Sequence, residues 1–396
     1  MPNCLFIVCK YIATSPFSGY DADQELTSVT DPNGNTIKYG YDALGRLEDK
    51  VLPNPNGGSG GGGGLATYTY GYDLDGNLLT STDPNGHTTS YAYNALDEET
   101  SVTNADGDTE SFTYDHDGNV LTDTDGLDHT TTYTYSVTDQ ELTEQQPSGG
   151  GTTKYAYDLA GRMTSLTDPD NNITTCTYNQ ANEVATQKSP TGWLITYTYD
   201  AAGNETSVTD PDGHTISYTY NADNEELTET WMNPSGGSPL DVITYTYNAD
   251  SEVTKIQDDF SSYEYNYNAD GEETSFSDTG TPGLAQVTLT YNYDGDRIRT
   301  SMTDSLGGVV SYTYNARDEL TNEMLSGSGI SAMAVTFAYD NAGNMTGLTR
   351  YSNLAETTVV ASTTFAYDSA NLLKGITDNN SSGTTLVSYA YTYDAA

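Results

Sequence analysis

Short runs of alternating apolar and polar residues cover almost the whole chain, and the runs recur. A Tyr-x-Tyr stretch such as Tyr218 to Tyr220 leads into Asp or Asn, then a Gly slot, a run rich in Thr, Ser, Val and Leu, and a second turn. The stretch from Tyr199 to Tyr220, YDAAGNETSVTDPDGHTISYTY, is the clearest copy. Its head, Tyr followed by Asp or Asn, returns at Tyr20, Tyr41, Tyr72, Tyr93, Tyr114, Tyr157, Tyr178, Tyr199, Tyr220, Tyr247, Tyr267, Tyr293, Tyr314, Tyr339, Tyr367 and Tyr393, with Tyr135-Ser136 as a degenerate copy. The spacing runs from 20 to 31 residues and is most often 21. A period that short marks a repeat architecture.

Each unit predicts strand, tight turn, strand, tight turn. Four residues after the Tyr stands Gly (Gly45, Gly76, Gly118, Gly161, Gly203, Gly271, Gly343) or, in its place, Asp97, Asp139, Asn182, Asn224 or Asp318. These residue types tolerate positive φ, so the slot predicts a turn. The second turn reads Asp-Pro-Asn-Gly at Asp31 and Asp83 and Asp-Pro-Asp-Gly at Asp210. There Pro presets φ and Gly supplies the left-handed position. Tyr218 and Tyr220 are two residues apart and share a strand face, which predicts tyrosine ladders on one side of a sheet. The other strand is less regular. Apolar residues favour the sixth position after the Tyr (Leu26, Leu47, Leu78, Val120, Val184, Val253, Met345) and the ninth (Val29, Val102, Leu166, Val208). Strict alternation puts those two positions on opposite faces, so either a bulge intervenes or both faces are partly covered.

The units YDALGRL at Tyr41, YDLAGRMTSLTDPD at Tyr157 and YDAAGNETSVTDPDGHT at Tyr199 resemble the YD-repeat, or Rhs-repeat, family. The resemblance extends over residues 20 to 396. It implies an all-β fold: consecutive antiparallel β-hairpins coiled into an extended spiral sheet or hollow shell wall. In bacterial toxin complexes and polymorphic toxins such a wall encloses a toxic C-terminal segment; in teneurins a similar shell serves adhesion. Toxin-type relatives also carry a self-cleaving segment with catalytic aspartates at the end of the shell, and nothing before Ala396 matches it.

Composition narrows the partners. The chain has 396 residues, 57 acidic against 13 basic, and a net charge of −44. That excludes a nucleic-acid backbone as the natural partner and argues against binding to an anionic membrane surface. Apolar content is 35%, yet there are 34 tyrosines, so the expected product is a thin sheet in which each unit is buried by its neighbours. Cys4, Cys9 and Cys176 give no disulfide framework; a Cys4–Cys9 bridge is the alternative to free thiols. Leu5 to Val8 is too short, and lacks the positive flank, for a signal peptide, and there is no transmembrane run.

Organisation follows from the repeat. Residues 1–19 do not fit it and form an atypical N-terminal segment; residues 20–396 form one array. Pro53 to Gly64, with its GGSGGGGG run, predicts a flexible loop that projects from one edge and can be shortened without loss of folding. Smaller insertions sit at Pro147 to Gly151 and Asn233 to Pro239, and the later turns lengthen at Asp278 to Gly283 and Ser326 to Ser331. The chain stops at Tyr393-Asp394-Ala395-Ala396, at the opening of another unit. Open edges of that kind are expected to pair with another chain or with further sequence.

Candidate chemistry is sparse. Asp73-Leu-Asp-Gly-Asn77 and Asp115-His-Asp-Gly-Asn119 look like the start of a calcium loop but lack the later bidentate Glu, so turn chemistry is the reading. His87, His129 and His214 follow turns at equivalent positions and read as exposed turn residues, with His116 isolated. Asn172, Asn204, Asn344 and Asn380 fit the glycosylation acceptor pattern, as a Thr-rich chain does by chance. No catalytic, metal or cofactor residue is assigned. The expected function is a non-enzymatic, extracellular or secreted scaffold, either part of a shell around a toxin cargo or the subunit of a self-assembling filament. A surface adhesion module is the further alternative.

Overall fold

The computed structural model describes residues 17–55, 65–280, 283 and 286–393. It is all-β: 33 strands, from Phe17–Tyr20 to Thr385–Ala390, form one open antiparallel sheet, and the only helix among the described residues is a 3₁₀ turn, Pro147–Gly149. Each strand pairs with its neighbour in sequence, as in Leu194–Tyr199 with Glu205–Thr209 and that strand in turn with Thr215–Tyr220. The first strand, Phe17–Tyr20, already pairs with Leu26–Thr30, so sheet begins inside the segment read as atypical. Residues 1–16, with Cys4 and Cys9, residues 56–64 of the Gly-rich loop and residues 394–396 lie outside the described residues. Cys176 is a free thiol, half-buried. The contacts gather the described residues into two units, one made of those up to Thr109 with Tyr291–Tyr393, the other of those between Glu110 and Thr290.

The turn slots behave as their residue types dictate. Every slot four residues after a repeat Tyr has positive φ, from Gln24 at 68° through Gly203 at 90° to Asn371 at 62°. Gly213 of the second turn sits at 85°. Both turns of a unit share one plan. In the first, the Asp200 amide donates to the Asn204 carbonyl at 2.9 Å and the Gly203 amide to the Asp200 carbonyl at 3.2 Å. In the second, Asp210, Gly213 and His214 repeat those bonds at 2.9 and 3.1 Å.

The irregular strand is explained by a bulge. Tyr199 faces Glu205, but Thr198 faces Ser207, so Thr206 is the extra residue. The bulge returns the sixth and ninth positions to one face: Glu205 lies opposite Tyr199 and Val208 opposite Tyr197. The same register shift recurs beside Tyr20, Tyr41, Tyr72, Tyr93, Tyr157, Tyr178, Tyr220, Tyr247, Tyr267, Tyr314, Tyr339 and Tyr367.

The sheet therefore has two chemically distinct faces. One carries the tyrosines with the sixth and ninth positions. The other carries Thr and Ser, whose hydroxyls pair across strands: Thr209 with Thr215 at 2.8 Å, Thr219 with Thr228 at 2.6 Å, Thr134 with Thr143 at 2.7 Å. The tyrosines form rows on one face, as expected, yet they do not pair directly across strands. Tyr197 is opposed by Val208, which is opposed in turn by Ile216. Rings meet across strands at Phe276, 5.8 Å from Tyr263 and 5.4 Å from Tyr265. No large side chain described is fully buried; the buried apolar residues are Ala66, Tyr291 and Ala334.

The bulge also explains why the repeat residue is Tyr. Pairing with the following strand stops at Ser207–Ser217, so the Glu205 carbonyl lies beyond that ladder. The Tyr220 hydroxyl donates to it at 2.7 Å. Eleven repeat tyrosines make this bond to the sixth residue of the preceding repeat, at 2.7–3.0 Å. A buried or half-buried carbonyl needs such a donor.

Candidate functional site

The acidic turns spend their carboxylates on their own backbone. Asp73 Oδ1 accepts from the amides of Asp75, Gly76 and Asn77 at 2.8–2.9 Å, and Oδ2 from Asn77 Nδ2 at 3.0 Å. Asp115 does the same with Asp117 and Asn119. Bonds from the Asn119 side chain and amide hold the Asp115 carboxyl below its ordinary value. His87, His129 and His214 each place Nδ1 2.9–3.1 Å from the lead carboxylate of their own turn, Asp83, Asp125 and Asp210. His116 is exposed at a turn tip. The side chains of Asn172, Asn204 and Asn344 donate to Asp168, Asp200 and Asp340, and Asn380 Oδ1 accepts from Ser382 and Thr384 amides. Each candidate is thus built into a turn.

A site that the sequence did not reveal lies in the first unit, where two stretches of the array meet turn against turn. Second turns of the early hairpins sit on Tyr-Asp turns of the late ones. Asn33 Nδ2 donates to Asp294 Oδ2 at 3.0 Å, Asn85 Nδ2 to Asp340 Oδ2 at 3.1 Å, and Asn371 Nδ2 to Asp83 Oδ2 at 2.9 Å. The Ala370 amide donates to Asp106 Oδ2 at 3.2 Å, and Ser369 Oγ bonds the same carboxylate. Arg317 Nε reaches the Pro53 carbonyl at 3.0 Å. Pro32 packs on Gly295 so closely that a Cβ there would lie 3.1 Å from the proline ring.

At one end of this seam three carboxylates converge. Oxygens of Asp31, Asp296 and Asp318 lie within 4.8 Å of one another, a set that could hold a cation. Asp296 Oδ2 is buried without a hydrogen-bond partner. Burial, then the charges of Asp31, Asp318 and Asp294, push Asp296 up to about 6, and burial with Asp31 and Asp294 raises Asp318. At Asp83 burial also opposes ionisation, but bonds from Asn371 and from the His87 and Asn85 amides outweigh it and lower the value.

These shifts act in opposite directions on stability. The raised Asp296 value means that its proton stabilises the fold; that contribution is complete below about pH 4 and lost as pH rises through 6. The lowered turn carboxylates, Asp83 among them, stabilise above about pH 4 and lose that effect below it. Thermal melts should therefore show the first unit more stable near pH 5 than at pH 7. The Asp296 share is about 1–2 kcal/mol after screening. Asp296→Asn should flatten the slope between those values, and an unchanged slope would refute the assignment.

The second unit carries carboxylates of another kind, on the tyrosine face. Glu141 and Glu144 lie opposite Tyr135 and Tyr133, and Glu226 and Glu229 opposite Tyr220 and Tyr218. Burial and then the neighbouring Glu raise both Glu141 and Glu226, and each keeps an Oε1 buried without a partner. Tyr155 donates to Glu144 Oε2 at 3.2 Å; burial, then the Glu144 charge, push its hydroxyl up to about 12. Burial on this face thus disfavours the charged form of its half-buried acids.

The family model for the RHS repeat matches residues 20–54, 72–109, 138–173, 178–215 and 199–230. Those stretches carry RHS repeats. Two solved structures share the fold seen here. The crystal structure of TcdB2-TccC3-Cdc42 aligns over 94% of this chain at 15% identity, with a TM-score of 0.50. The Tc holotoxin pore of Photorhabdus luminescens aligns over 94% at 16% identity, with a TM-score of 0.52. This chain spans about a quarter of each of those chains, 25% and 24%. No curated protein matches the chain.

The hydroxyl bond and the seam are the features that sequence reading missed. The first had a signal. The position two residues before the repeat Tyr accepts Phe112, Phe337, Phe365 and Cys176, whereas the repeat position itself is Tyr in every unit. The seam had none, because its partners lie 255 to 288 residues apart.

Proposed function

We propose that this chain is wall material of an Rhs-type shell: a non-catalytic scaffold, outside the cell, that separates an enclosed polypeptide cargo from its surroundings. The observation that carries this reading is the two-faced sheet, with half-buried tyrosines on one side and hydroxyl pairs on the other. A wall needs two different faces. The layering inside the first unit supports the same use, since docked turns close the gaps between successive strips of sheet. Among the described residues no helix is long and apolar enough to cross a membrane. A self-assembling filament is the second reading, favoured by exposed apolar turn tips such as Leu74 and Leu159.

The test is electron microscopy of the native material with protease protection of what co-purifies. Closed hollow particles whose cargo survives protease until the wall is denatured are the expected result. Filaments that shield no cargo from protease, or particles whose contents are digested at once, would replace the shell with the second reading.

A further inference from the structure

The seam in the first unit shows how one layer of this array receives another: a row of second turns settles on a row of Tyr-Asp turns. Hairpin geometry gives every layer one row of each kind, on opposite edges. A layer docked along one row keeps the other free. In the first unit the free rows are the Tyr-Asp turns of the early hairpins and the second turns of the late ones.

Docked and free rows differ at their tips. The docked tips are small or polar: Pro32, Asn85 and Asp106 on one side, Gly295, Ala316 and Ser369 on the other. Three of the four free tips in each row are large and apolar, while the Tyr20 turn and the Asn380 turn carry Asp23 and Ser382 instead. Leu44, Leu74 and Leu96 on the Tyr-Asp turns are 69%, 94% and 66% exposed. Leu306, Ile330 and Leu354 on the late second turns are 69%, 38% and 39% exposed. A single exposed Leu means nothing. Three on successive turns of one row, matched by three on the complementary row, form an apolar stripe on each edge.

We propose that these two rows dock to each other between copies of this chain, the free Tyr-Asp row of one copy receiving the free second-turn row of the next. The contact continues a packing mode that the chain already uses within itself, turn on turn, one for one. It also suits the chemistry of the turns. Asp42 and Asp304 have their Oδ1 atoms engaged by their own turn amides, so the tips, not the lead carboxylates, are left to make contact. Apolar tips bring copies of a chain with net charge −44 together without adding charge, and added salt should strengthen the contact by screening that repulsion. The two surfaces are different, so the contact is heterologous and propagates as an open stack.

The experiment uses the full chain and two variants, Leu74→Asp and Leu306→Asp, followed by light scattering and sedimentation across concentration, at low and high salt. The parent chain should associate progressively, and more strongly in salt. Each variant alone should be monomeric, because each lacks one of the two rows in every copy. An equimolar mixture should form dimers and stop there, since only one intact row of each kind remains to be joined. Both tips are exposed, so circular dichroism of the variants should match the parent. A parent that stays monomeric throughout would overturn the proposal and assign the stripes to further layers of a longer chain. Single variants that still dimerise would overturn it in favour of a two-fold contact. Cargo protection is read independently, so the shell can fail while the stack survives, or the reverse.

Discussion

Tyr220→Ala should destabilise the second unit by about 3 kcal/mol, seen as a lower denaturation midpoint. About 2 kcal/mol comes from the half-buried ring, and the remainder from the Glu205 carbonyl left without its donor. Tyr220→Phe keeps the ring and should cost about 1 kcal/mol. Tyr218→Phe should be nearly neutral, because Phe112, Phe337 and Phe365 already stand at the equivalent position. Tyr218→Ala removes a ring of the same row and should cost about 2 kcal/mol or more. His214→Ala, at an exposed turn, should stay well under about 1 kcal/mol. The effect of Tyr220→Ala should fall mainly on the adjacent repeats, which hydrogen exchange can map, since an array is held by nearest-neighbour interfaces. Equal costs for Tyr218→Phe and Tyr220→Phe would remove the hydroxyl from the account.

Asp83→Ala should be the most damaging single change at the seam, at about 2–3 kcal/mol. Its carboxylate accepts from the Asn85 and His87 amides, from His87 Nδ1 and, across the seam, from Asn371 Nδ2. Asp210→Ala makes the fitting control. Asp210 holds the same bonds within its own turn, to Asp212 and His214. Protease should reach residues 368–372 faster in Asp83→Ala than in the parent. If Asp83→Ala and Asp210→Ala loosen their units alike, the cross-seam bond contributes nothing.

Sequence conveyed the strands, their order and both turns, because those depend on residues within one period. The Gly, Asp and Asn slots named from Gly45 to Gly343 all take positive φ. It left open whether the sixth and ninth positions share a face, because a bulge is invisible to a two-residue period; the register at Thr198 and Ser207 decides it. The tyrosine ladder was half right. The rows exist, but the bulged strand interposes residues such as Val208 between rings. The acid cluster at Asp31, Asp296 and Asp318 was illegible for another reason: all three are ordinary turn residues, and only the return of the chain brings them together.

The hydroxyl bond always points backward, from a repeat Tyr to a carbonyl in the repeat before it. Synthesis proceeds in the same direction. When Tyr220 leaves the ribosome, the strand holding its acceptor, Glu205–Thr209, has already been made and can already be paired with Leu194–Tyr199. Each new repeat is therefore fastened to a finished one, and outside the seam of the first unit its bonds do not wait for sequence not yet translated. A protein assembled this way can be lengthened by whole periods without altering the order in which its parts are built.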